Sequence, residues 1–151
     1  LYRRLEHQGL LSGLKKVGFH VVCRQGVAIR FDGFFLTPFA VLHSVPCFGL
    51  VIYHEGRKIV HAADSSGQLT NYARRLIQGA DLLIASTPFF ESDGNHHLDV
   101  LGALRWKEEL GIRHLILTHI NHHNLPHDEL VAYVGDYEDV SIAYDGMLIK
   151  V

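Results

Sequence analysis

Residues 41–67 read VLHSVPCFGLVIYHEGRKIVHAADSSG. Within them, CFGLVIYHE and RKIVHAAD are apolar runs that meet at Glu55–Gly56, a pattern that predicts a β-hairpin. Upstream, FFLTPFAVLHSV (34–45), VAIRF (27–31) and HVVCR (20–24) are further extended runs, separated by DG and QG turn signals. Two runs end on polar residues of similar chemistry: His43 closes FAVLHS and Asp64 closes IVHAAD.

After Asp64 the pattern alternates between helix and strand. Residues 68–78 read as a helix stopped at Gly79, which suits a left-handed cap. ADLLIAS (80–86) is a continuous apolar strand. LDVLGALRWKEEL (98–110) places Val100, Ala103, Trp106 and Leu110 on one side at helical spacing. HLILTH (114–119) is a second buried strand, residues 127–134 a short helix, and VSIAY-DG-MLIKV a closing hairpin at Asp145–Gly146. Residues 1–17 mix apolar and basic residues at helical spacing and predict a helix. The expected class is α/β, with a mixed, mostly antiparallel sheet covered by helices. No linker or repeat divides the chain, so residues 1–151 are expected to form one domain.

Composition limits the partners. A formal net charge of -2 leaves no basic surplus for nucleic acid, and no apolar run is long enough to cross a membrane. Cys23 and Cys47 form no CxxC pair, which favours a reducing cytoplasm. The outlier is a count of 12 histidines, whose positions must decide their meaning.

Three of the candidates share one setting. His43, Asp64 and His119 each stand where an apolar strand meets a loop, the place where α/β sheets assemble sites. Two imidazoles and a carboxylate suit zinc, and also manganese or iron. Singly, each has a plainer reading, a hydrogen-bonded strand-end histidine or an aspartate closing a turn. Their ordered occurrence carries the argument.

The series VLHSVPCFGLVIYHEGRKIVHAADSSG, ADLLIAS, GIRHLILTHINHHN and VSIAYDGMLIKV resembles the second half of metallo-β-lactamase-superfamily proteins. THINHHN and AYDGM look most like the branch containing coenzyme PQQ synthesis protein B and the cyclic phosphodiesterase of phosphonate breakdown. The resemblance implies half of an αββα sandwich, with His43, Asp64 and His119 as ligands of a site for two divalent metals and Asp64 bridging them. Zinc is the first expectation. The family's first motif, His-x-His-x-Asp-His, is absent from these residues, and the chain starts at Leu1 with Met147 its only methionine. The expectation is a C-terminal half lacking its N-terminal partner. Two donors per ion is too few for a tight site, so weak or absent metal binding is expected of this chain alone.

The resemblance extends to His96–His97, which precede a helix as a histidine does in phosphodiesterases and tRNA-processing nucleases of the superfamily. There it approaches the scissile phosphate as an acid or charge partner, a role that would fall to His97. The plain alternative is an exposed loop histidine beside a helix cap. His122, His123 and His127 read as a polar loop, with anionic-substrate binding at His122 or His123 the alternative. His20, His54, His61 and His114 lie in or beside strands and read as structural, as His7 does in the first helix. No Gly-x-Ser-x-Gly nucleophile or phosphate loop occurs. The leading function is a metal-dependent hydrolase of a phosphodiester or other small ester-like substrate. The alternatives are a non-catalytic ligand- or partner-binding module and a PQQ-biosynthesis-like cofactor protein. The hairpin sheet would leave an apolar face, which predicts the missing half or a homo-oligomer as partner.

Overall fold

The computed structural model describes residues 22–62, 64–92 and 97–151. The helix expected over 1–17, with His7, and also His20 and His96, lie outside them. Among the described residues seven strands form one sheet in sequence order: β1 (Ile29–Phe31), β2 (Phe34–Val41), β3 (Cys47–His54), β4 (Arg57–His61), β5 (Leu82–Ser86), β6 (His114–Thr118) and β7 (Val140–Ile142). The pairings from β1 to β4 are antiparallel and those from β4 to β7 parallel. The sheet is mixed, in equal shares. Three helices follow the strands that need crossovers: α1 (Asn71–Ile77), α2 (Val100–Leu110) and α3 (His127–Val134).

Local chemistry explains the elements. The β1–β2 and β3–β4 hairpins turn at Asp32–Gly33 and Glu55–Gly56, all four residues at positive φ, the geometry that matches strand twist. Thr70 caps α1 by accepting from Ala73 N at 3.1 Å, and Gly79, at φ 68°, follows its end. Val100, Ala103, Trp106 and Leu110 of α2 are all buried, as their spacing predicted. Alternate residues on one sheet face (Phe39, Val51, Val60, Leu83, Leu115, Leu117) pack with the apolar sides of the three helices in a single core. On the other face Leu36, Leu50, Ile52, Ile59 and Ile84 are only half-buried.

Two expected strands differ. Val22–Cys23–Arg24 of HVVCR is not strand; instead Gly26 N donates to Pro38 O at 2.8 Å. Beyond the short β1 the chain meets β2 at Pro38, which has no N–H to offer a ladder. The closing hairpin is also absent. Asp145–Gly146 does turn, with Met147 N donating to Tyr144 O at 3.1 Å, but residues 147–151 pair with no strand. Met147 and Ile149 instead flank a hollow on the half-buried face shared with Leu82, Ile84 and Ile116. Met147 is half-buried there, whereas Leu148, Ile149 and Val151 remain exposed.

At the edge opposite the strand ends, Asp81 joins three strands. Its carboxylate accepts from Lys58 N at 2.9 Å and Arg57 Nη1 at 3.3 Å, and Arg113 Nη1 lies 3.8 Å away. The Lys58 amide, then the two guanidinium groups, hold the Asp81 carboxyl below its ordinary range. Burial lowers the Lys58 ammonium, partly offset by Asp81.

Gly49 faces the Phe39 ring, and a Cβ there would come within 2.8 Å of Phe39 Cε1 and His61 O. Gly49→Ala is therefore expected to cost about 2 kcal/mol in urea unfolding. Asp81→Asn is expected to cost about 1 kcal/mol at neutral pH. Because the folded carboxyl is lowered, that contribution is complete above the unfolded value of about 4 and is lost as pH falls through the folded value. Stability curves of the two proteins should converge in acid.

Candidate metal centre

Strand direction brings the candidates together. β2, β4, β5 and β6 run the same way, so the loops carrying His43, Asp64, Phe89 and His119 leave one edge of the sheet. Backbone bonds tie these loops to each other: Ser66 N to Leu42 O (2.6 Å), Leu98 N to Ser65 O (2.6 Å), Val100 N to Phe89 O (3.0 Å) and Thr87 N to Thr118 O (2.9 Å).

His119 Nδ1 and Asp64 Oδ1 are 3.1 Å apart. The His97 ring lies edge-on to His43, with centroids 4.9 Å apart, and 6.5 Å from the centroid of His119. The four candidates thus form one contiguous group. The His119 and Asp64 side chains are 50% and 41% exposed, so their pairing contributes under about 1 kcal/mol and does not by itself explain the arrangement. His119 adopts φ 61°, the left-handed region, which costs a non-glycine residue about 1–2 kcal/mol. The turn swings its imidazole out of β6 and over Asp64.

The remaining histidines divide. His54 stacks on Phe34 with centroids 4.1 Å apart, and His114 Nε2 meets Asp139 Oδ1 at 2.9 Å, which are structural contacts. His123 stacks with Phe89 at 5.7 Å and lies tilted against His122 at 3.9 Å, extending a row of rings outward from His97. His127 starts α3 and lines a cavity of about 510 Å³ beside His119, with Tyr144 and Asp145.

Sequence reasoning missed the residues that shape these loops. Asn124 Nδ2 donates to Thr87 O at 2.8 Å, and Asn121 Oδ1 accepts from His123 N at 2.8 Å, so two asparagines fold the segment after His119. Asp99 and Ser92 bind each other at the other side of the site. An aspartate just before a helical run was the one available signal, that of a cap.

A sequence model of the beta-lactamase superfamily domain matches residues 2–120. This chain belongs to the metallo-β-lactamase superfamily. Among relatives, a probable metallo-hydrolase of Bacillus subtilis (strain 168), YhfI, is 34% identical over 100 residues, 64% of this chain and 40% of that protein. The solved structure of YhfI matches with TM-score 0.73 and 26% identity over 91% of this chain and 60% of the other. A diphosphatase from the PhnP family matches at TM-score 0.75 and 22% identity over 97% of this chain and 53% of the other. PqqB of Methylobacterium extorquens matches at TM-score 0.68 and 15% identity, over 95% and 60% respectively. The chain therefore spans between two fifths and three fifths of the length of these relatives.

Membership implies divalent metal ions, and the residues fit them in part. His43, Asp64 and His119 are the right donor types at one edge, but no three His, Cys, Asp or Glu side chains among the described residues are arranged to hold one ion.

The strain at residue 119 is open to measurement. His119→Gly is expected to be about 0.5–1 kcal/mol more stable than His119→Ala in chemical denaturation, the relief of strain exceeding glycine's extra unfolded-state entropy. Equal stabilities would show that the left-handed turn is not occupied in solution.

Proposed function

We propose that this chain is the C-terminal part of a metal-dependent hydrolase that cleaves a phosphodiester or another small ester-like substrate. The carrying observation is the meeting of Asp64, His119, His43 and His97 at one sheet edge, with Asp64 and His119 in direct contact at 3.1 Å. Likeness to a probable metallo-hydrolase supports hydrolysis as the reaction type.

In this reading His43, Asp64 and His119 would hold the divalent metals, with the remaining donors supplied by a segment bearing the first motif. That segment, or a second copy of the chain, would also cover the half-buried face around Ile52, Ile59 and Ile84. When bound, the metals lower the pKa of a bound water and polarise the ester. The chain's own residues do the rest. Asp64 orients the His119 ring. His97, between His43 and Phe89, protonates the leaving oxygen or offsets the charge of the phosphate. His122 and His123 continue that cationic-capable wall for an anionic ester.

A second reading, a binding module without catalysis, is favoured by the incomplete donor set. The two differ in what metal does. Asp64→Ala in a full-length parent should abolish turnover of a generic phosphodiester such as bis(p-nitrophenyl) phosphate, and elemental analysis of the 151-residue chain should find zinc well below one equivalent. Unchanged turnover after Asp64→Ala would exclude the hydrolase reading.

A further inference from the structure

Asp99 does more than cap a helix. It is buried, and its Oδ1 accepts from Gly102 N at 2.6 Å at the start of α2. A cap needs only that oxygen. The second, Oδ2, accepts from both Ser92 N at 2.8 Å and Ser92 Oγ at 3.0 Å. A buried carboxylate is costly unless its lone pairs are met, and here three donors converge on it. Gly102 makes the approach possible, since a Cβ there would lie 2.9 Å from Asp99 Oδ1 and from Leu98 Cδ1.

The contacts bracket His97. Ser92 Oγ also lies 3.4 Å from His97 O, a second acceptor for its one proton. On the other side, Leu98 is fully buried and its N–H is bound to Ser65, the neighbour of Asp64. Phe89, three residues before Ser92, is held by Val100 N and lies 6.0 Å from the His97 ring. Among the described residues, the backbone around His97 is thus tied through Ser92, Asp99 and Leu98.

We infer that Asp99 and Ser92 form a buried clamp that positions the His97 imidazole beside His43, with the clamp oxygen of Asp99 separate from the capping oxygen. Asp99 and Ser92 are positioning residues. The importance of the clamp for turnover rests on the hydrolase reading above; its geometry does not.

The test uses the 151-residue chain and the His97 ring proton signal in NMR, assigned with His97→Gln, alongside thermal melting. In the wild type, ring currents from Phe89 and His43 displace this signal from that of free histidine. Asp99→Ser keeps a capping hydroxyl and Ser92→Ala leaves the cap untouched, so both should melt close to the wild type while the His97 signal moves to the free value. Ser92→Thr, which restores the hydroxyl, should restore the signal. A His97 signal unmoved in folded Ser92→Ala and Asp99→Ser overturns the clamp. If Ser92→Ala and Asp99→Ser unfold, the signal in Ser92→Thr decides: at the wild-type position it supports the clamp, at the free value it overturns it. In a full-length parent, Ser92→Ala should lower kcat about tenfold with KM unchanged. No turnover enters the NMR readout, so unchanged hydrolysis after Asp64→Ala sinks the hydrolase reading and leaves the clamp standing.

Discussion

Parallel pairing from β4 through β6 makes a site possible in this chain, because strands running in one direction deliver their following loops to the same edge. That pairing is held by burial. Val60, Leu83, Ala85, Leu115 and Leu117 lie under α1, α2 and α3, with almost no exposure. A one-residue slip of β6 would send Leu115 and Leu117 to the other face and carry His119 away from Asp64. The register that protects the core is thus the register that assembles the candidate donors.

Within this frame, local strain and local ties balance. The left-handed backbone at His119 is unfavourable in isolation, and persists where the surroundings over-determine it. The Thr87–Thr118 bond fixes the residue before it, and the Asn121 and Asn124 contacts fix those after it. The loop bearing His97 is held by buried oxygen contacts. One side of the site is set by backbone torsion, the other by a carboxylate.

Much of this was legible from residue order. The hairpin at Glu55–Gly56 and the turn at Asp32–Gly33 were visible because few residue pairs tolerate two positive φ angles in succession. α2 was visible because Val100, Ala103, Trp106 and Leu110 recur at helical spacing. The strand-end settings of His43, Asp64 and His119 could be read because each follows an apolar run. The fate of residues 147–151 could not: AYDGMLIKV is compatible with a return strand or with a tail beside a sheet face, and residue order does not show the hollow it shares with Leu82, Ile84 and Ile116. Asp99 offered at most the signal of a cap, since the partner of its second oxygen, Ser92, comes from a separate turn. The torsion of His119 leaves no trace in residue identity at all.

The hairpin tips have a practical consequence. Glu55–Gly56 and Asp32–Gly33 stand at the end of the sheet opposite His43, Asp64 and His119, and a Cβ at Gly56 would meet nothing within 4 Å. Short surface turns of this kind tolerate grafted sequence. A fluorescent label or an immobilising tag placed at Glu55–Gly56 would leave the histidine-bearing rim pointing away from its support, so a chip-bound form of the chain could present that rim to metals, small esters or a complementing fragment without masking it.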